Sequence, residues 1–73
     1  MKEKEYVVVY EWTGENYSAY VPDLPGCAAC ADTLEETEQL MKEAIELYIQ
    51  ALKEERQPIP EPTTKAKLVS VVT

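Results

Sequence analysis

Residues 32–55 read DTLEETEQLMKEAIELYIQALKEE, and this stretch decides the architecture. No glycine or proline interrupts it, and Leu34, Thr37, Met41, Ala44, Ile45, Tyr48, Ala51 and Leu52 recur at the spacing of one helical face. Thr33 followed by Glu36 three residues on is a capping box, in which the threonine hydroxyl accepts from an otherwise unpaired amide. Glu35 and Glu36 also place negative charge at the positive end of the helix dipole. The spacing predicts a helix from Leu34 to about Glu55, roughly 33 Å long at the usual rise. Strands of five or six residues span only about 17–20 Å, so this helix overhangs any sheet it packs on.

Before the helix, residues 5–12 are rich in Val, Tyr and Trp and predict a first strand. The turn Thr13-Gly14-Glu15-Asn16 joins it to a second strand over residues 17–21, so the pair is a hairpin. Pro22-Asp23-Leu24-Pro25-Gly26 cannot continue a central strand, because two prolines remove donors and fix φ. Residues 27–31 form a short third strand of small side chains. After the helix, Gln57-Pro58-Ile59-Pro60-Glu61-Pro62 predicts an extended, polyproline-type return. Residues 65–73, with Leu68, Val69, Val71 and Val72, predict a fourth strand. A right-handed crossover through the helix would set that strand parallel to the first. The expected fold is a single α+β domain over residues 1–73, β-β-β-α-β. Its sheet is four-stranded and mixed, of order 3-2-1-4, with one long helix on one face.

Both elements carry more apolar surface than a single contact requires. Around the helix, Leu40 and Leu47 lie beyond one edge of the sheet-facing stripe and Ile49 beyond the other, an apolar arc of about 200°. Along strand one, Tyr6, Val8, Tyr10 and Trp12 point one way while Val7 and Val9 point the other. One helix covers one face of a sheet, so the pattern predicts a homo-oligomer, a dimer or larger.

Composition narrows the chemistry. In 73 residues there are 14 acidic and 7 basic side chains and no histidine. That removes histidine-based catalysis and every imidazole zinc site. A net charge of −7 argues against direct binding to a nucleic-acid backbone and for a basic partner. The charged start Met1-Lys2-Glu3-Lys4-Glu5 shows no signal-peptide pattern, and no run approaches the ~20 apolar residues of a membrane span. Two cysteines in an otherwise unstapled chain fit a reducing cytoplasm.

Cys27 and Cys30 form a lone CxxC, half of a structural zinc site. On a strand they would sit roughly 10 Å apart, too far for a disulfide, and they are expected to be small packing residues. Two such pairs in a dimer could complete a four-thiolate zinc site, an alternative that predicts stoichiometric metal. Neither a resident metal nor a cofactor is expected.

The series Tyr20-Val21-Pro22-Asp23-Leu24-Pro25-Gly26-Cys27, Asp32-Thr33-Leu34-Glu35-Glu36, Ala44-Ile45-Glu46-Leu47-Tyr48 and Ile59-Pro60-Glu61-Pro62 resembles the HicB family of bacterial antitoxins. The likeness runs from about residue 5 to residue 62. The resemblance implies a truncated ribonuclease H-like unit that has lost the nuclease acids. Its implied role is to bind HicA, a small basic RNA-cleaving toxin, and to cover its active site. Many HicB antitoxins add a C-terminal DNA-binding domain. This sequence stops at Thr73 after the fourth strand, so operator binding is not expected. For a basic partner, Glu35, Glu43 and Glu46 on the polar helix face are the expected contacts, together with the uncovered sheet face. Two alternatives stand beside this reading. One is a residual metal-dependent nuclease that would need Glu11; the other is an oligomeric HicB-like domain without a toxin.

Overall fold

The computed structural model describes residues 3–73. Met1 and Lys2, which open the charged stretch taken to lack a targeting signal, lie outside the described residues. Three strands, β1 (Val9–Trp12), β2 (Tyr17–Tyr20) and β3 (Ala28–Ala31), precede one helix, α1 (Leu34–Glu54). The sheet is antiparallel with β2 in the middle. Val9 stands opposite Tyr20 and Trp12 opposite Tyr17, while Tyr17 faces Ala31 and Tyr20 faces Ala28.

The hairpin turn forms for the expected reason. Gly14 takes φ +103°, and the Thr13 amide donates to the Asn16 carbonyl at 2.9 Å. The Thr13 hydroxyl accepts from the Asn16 amide at 3.2 Å, which closes the turn with its own side chain. The connection from β2 to β3 is also built from local hydrogen bonds. Val21 donates to Cys27, Leu24 to Val21 and Cys27 to Leu24, all within 3.0–3.1 Å. Gly26 at φ +82° completes it. This tight loop turns Leu24 fully inward, and with Ala19, Val21, Cys27 and Met41 it forms the buried core. Tyr6, Val8, Tyr10, Ala44, Ile45, Tyr48 and Ile49 pack around that core.

The helix caps follow the sequence. Glu36 N–H donates to Thr33 Oγ1 at 3.1 Å, and the Thr33 hydroxyl meets Glu36 Oε1 at 3.1 Å. Thr37 is the one buried polar residue among those described, and its hydroxyl donates back to the Thr33 carbonyl at 2.8 Å. At the other end Arg56 adopts φ +57°, so that its amide reaches the Lys53 carbonyl and that of Gln57 reaches Leu52 at 2.8 Å. This is a Schellman-type stop with arginine where glycine is usual.

The sheet corrects the expected topology. Residues 65–73 form no strand, so the expected four-stranded mixed sheet of order 3-2-1-4, and with it the truncated ribonuclease H-like unit that the resemblance implied, give way to a three-stranded antiparallel sheet. The expected central strand, β1, is an edge. The cause lies in how the return segment is pinned. The Tyr6 hydroxyl donates to the Pro60 carbonyl at 2.6 Å, and Lys4 pairs with Glu61 at 2.7 Å. Asp23 in the β2–β3 loop accepts from the Thr64 amide at 3.0 Å and from the hydroxyls of Thr63 and Thr64 at 3.1 and 2.9 Å. Residues 4–6 precede β1 and Asp23 follows β2, so these bonds hold the return across one end of the hairpin. Pro58, Pro60 and Pro62 lack the N–H that a ladder needs. β1 is also shorter than expected, because its partner turns away into the loop at Val21 and leaves residues 5–8 unpaired.

Asp23 is a titratable latch. The amide and hydroxyls that it accepts hold its carboxyl below the usual carboxylate value. A depressed folded pKa stabilises the closed form above the unfolded value and loses that contribution as pH falls through the folded one. The return segment is therefore expected to be fully latched at neutral pH and to loosen only below about pH 3.9. Asp23→Asn is expected to speed hydrogen exchange at the Thr64 amide at pH 7 towards the rate of an unprotected amide at the same pH. Equal Thr64 exchange in variant and parent would show that the latch does not hold the segment.

Candidate protein-interaction surface

The helix divides its surface by chemistry. Met41 and Thr37 face the core, while Glu35, Glu43 and Glu46 lie on the exposed side. Glu35 and Glu46 share nearly one azimuth and stand about 16 Å apart along the axis, with Glu43 about 60–80° around from them. Gln39 donates to Glu43 Oε1 at 3.2 Å. The only ion pair among the described residues is Lys4–Glu61, so none of the three helix carboxylates is neutralised by a cation. The structure thus leaves them exposed and available to a positive surface, in an arc rather than a cluster.

Apolar residues interrupt this acidic surface. Leu40 and Leu47, seven residues apart, form a ridge beside Glu43, and Leu47 is 66% exposed. Ile49, expected to be surplus, instead packs against the core. On the sheet, Val7 and Val9 are half-buried, whereas Trp12 is 56% exposed and tilts against Tyr17 with ring centroids 5.0 Å apart.

Two grooves border the helix acids. Tyr6, Ile45, Glu46, Ile49, Lys53 and Ile59 line one of about 430 Å³, between α1 and the return segment. Trp12, Tyr17, Thr33, Leu34 and Glu35 line a more open one of about 540 Å³ at the helix N-terminus. Sequence reasoning found the carboxylates and the leucines but not the groove at Trp12. That groove depends on the hairpin register, which sets Tyr17 across from Trp12 and brings both beside Thr33.

The cysteines separate. Cys27 is buried, which pushes its thiol pKa up, and Cys30 is exposed on β3; both are free thiols. Among the described residues no three His, Cys, Asp or Glu side chains gather as a metal site would require. Glu11 lies exposed on β1, and Asp23 is occupied by its threonine partners. No helix of the described residues is long and apolar enough to cross a membrane.

The chain is similar to known proteins. The family described as HicB_like antitoxin of bacterial toxin-antitoxin system matches residues 6–71. A UPF0150 protein of the cyanobacterium Synechocystis is 45% identical over 56 residues, covering 77% of this chain and 71% of that protein. An uncharacterised 14.9 kDa protein from the rep-hol intergenic region of Haemophilus phage HP1 is 36% identical over 55 residues, or 75% of this chain. The match spans only 41% of that phage protein. No solved structure gave a significant match.

Proposed function

The chain belongs to the HicB-like antitoxin family of bacterial toxin–antitoxin systems, and from that premise we propose that it is a non-catalytic module that binds and masks a small, basic, RNA-cleaving toxin of HicA type. The supporting observation is the un-neutralised acidic face of α1, Glu35, Glu43 and Glu46, on a chain of net charge −7. Such a face steers a cationic partner into encounter and fixes its orientation. The Leu40–Leu47 ridge beside it supplies apolar area that can be desolvated on docking. Masking needs no catalytic group here, because a protein laid over a cleavage site excludes RNA by volume and charge. The complex would act in the reducing cytoplasm, where both thiols stay free. We propose further that the chain self-associates, since Trp12, Tyr20, Leu40 and Leu47 remain exposed in the single chain.

The test is growth rescue. A small basic protein captured by this chain from its source organism is expressed alone, where it is expected to arrest growth, and then with the chain, where growth should resume. Arrest that persists at equal expression of the chain would refute toxin masking.

A further inference from the structure

Residues 65–73 stand away from the rest of the molecule. Every one of them is exposed, and Leu68 and Val72 reach 103% and 104% of reference exposure, as open as side chains in an extended peptide. Val69 and Val71 are nearly as open. Four aliphatic residues in five, three of them β-branched, form a sequence suited to a strand in a sheet and unsuited to water. The radius of gyration, 14.1 Å, exceeds the roughly 11 Å of a packed domain of this length. The tail is anchored at its root, because Asp23 fixes Thr63 and Thr64.

The chain also holds an edge that lacks a neighbour. β1 pairs with β2 alone, and no backbone hydrogen bond among the described residues reaches its outer side or residues 65–73. Its residues Val9–Trp12 are bulkier and more strand-favouring than the alanines and cysteine of β3, the other edge. An open edge of this kind is a template for strand addition.

Charge selects the occupant. The tail holds Lys65 and Lys67 and no acid, so the rest of the chain has a net charge of −9 against −7 for the whole. A basic tail repels a basic toxin and is complementary to another copy of this acidic body. Two copies exchanging tails about a two-fold axis would satisfy both unpaired elements at once.

We propose that residues 67–73 of each chain add as a strand to the free edge of β1 in a second copy, giving a strand-exchanged dimer. The sheet within one chain stays three-stranded, and the added strand comes from outside. The exchange deepens the self-association proposed above and does not depend on toxin masking. It leaves the outer acidic face of α1 open to a different partner.

The experiment uses the full chain without toxin, in sedimentation equilibrium and in NMR of an equimolar mixture of ¹³C,¹⁵N-labelled and unlabelled protein. The expected result is a dimer mass, slow amide exchange at Val69 and Val71, and intermolecular contacts from Leu68–Val72 to residues 7–11. Leu68→Asp with Val71→Asp, in a tail that is exposed throughout, should keep the helical circular dichroism. Dimer affinity should fall about 100-fold or more, the scale of losing two buried aliphatics. A dimer whose tail amides exchange freely, or whose tail contacts β3 or the other tail, would overturn strand exchange and leave self-association standing. A monomer would overturn both.

Discussion

Leu24→Ala is expected to lower stability by about 2–5 kcal/mol, the range for emptying a fully buried leucine site. Leu24 has no exposed surface although it lies in a loop, because Pro22, Pro25 and Gly26 fold that loop back onto the core. The core is small, so few neighbours can relax into the cavity. Whole domains are stable by only about 5–15 kcal/mol, and one of this size loses roughly 4–8 °C per kcal/mol. The thermal midpoint is therefore expected to drop by at least about 8 °C. Lys42→Ala, at an exposed helix position outside the leucine ridge, should stay within about 0.5 kcal/mol of the parent. Circular dichroism melts at one fixed protein concentration compare the two, because self-association makes the midpoint depend on concentration. Equal midpoints for the two variants would mean that the loop does not build the core.

The second large effect is on binding. If the proposed basic partner docks on this face, Glu35→Lys, Glu43→Lys and Glu46→Lys together should weaken its affinity about 10- to 100-fold. Exposed ion pairs contribute about 0.2–1 kcal/mol each, and reversal replaces each attraction with repulsion. The loss should fall mainly on the association rate and shrink as salt rises, because these side chains are solvated and screened. Stopped-flow association at about 50 and 300 mM salt reads both quantities, two ionic strengths that bracket the usual screening length. Unchanged rates and an unchanged salt slope would take the helix face out of the interface. The single variants would then rank the positions: Glu35 and Glu46 border the two grooves and Glu43 flanks the leucine ridge.

Local signals in the sequence were strong where local physics decides. Thr33 and Glu36 mark the helix start and bond as a cap. Gly14 and Gly26 mark the two turns, and each takes the positive φ that other residues resist. The period of Met41, Ala44, Ile45 and Tyr48 identifies the face that packs on the sheet. The position of residues 65–73 could not be read in the same way. Their alternating aliphatics say that they suit a strand, but not which sheet they join. That depends on three side-chain contacts between positions distant in sequence: Asp23 with Thr64, Tyr6 with Pro60 and Lys4 with Glu61. Nothing in a propensity or a period encodes such contacts. The candidate surface divides along the same line. Glu35, Glu43 and Glu46 were visible as a helical arc, whereas the groove at Trp12 appears only once the hairpin register sets Tyr17 beside it.

The proposed role is masking of a basic RNA-cleaving protein by this acidic chain. The most direct measurement is a titration of that protein's cleavage of RNA, in vitro and at fixed substrate, with increasing amounts of this chain. Suppression is predicted to be complete near one chain per toxin, to need no added metal, and to be weakened by the triple lysine variant. Cleavage that continues at a several-fold excess of the chain would contradict the account.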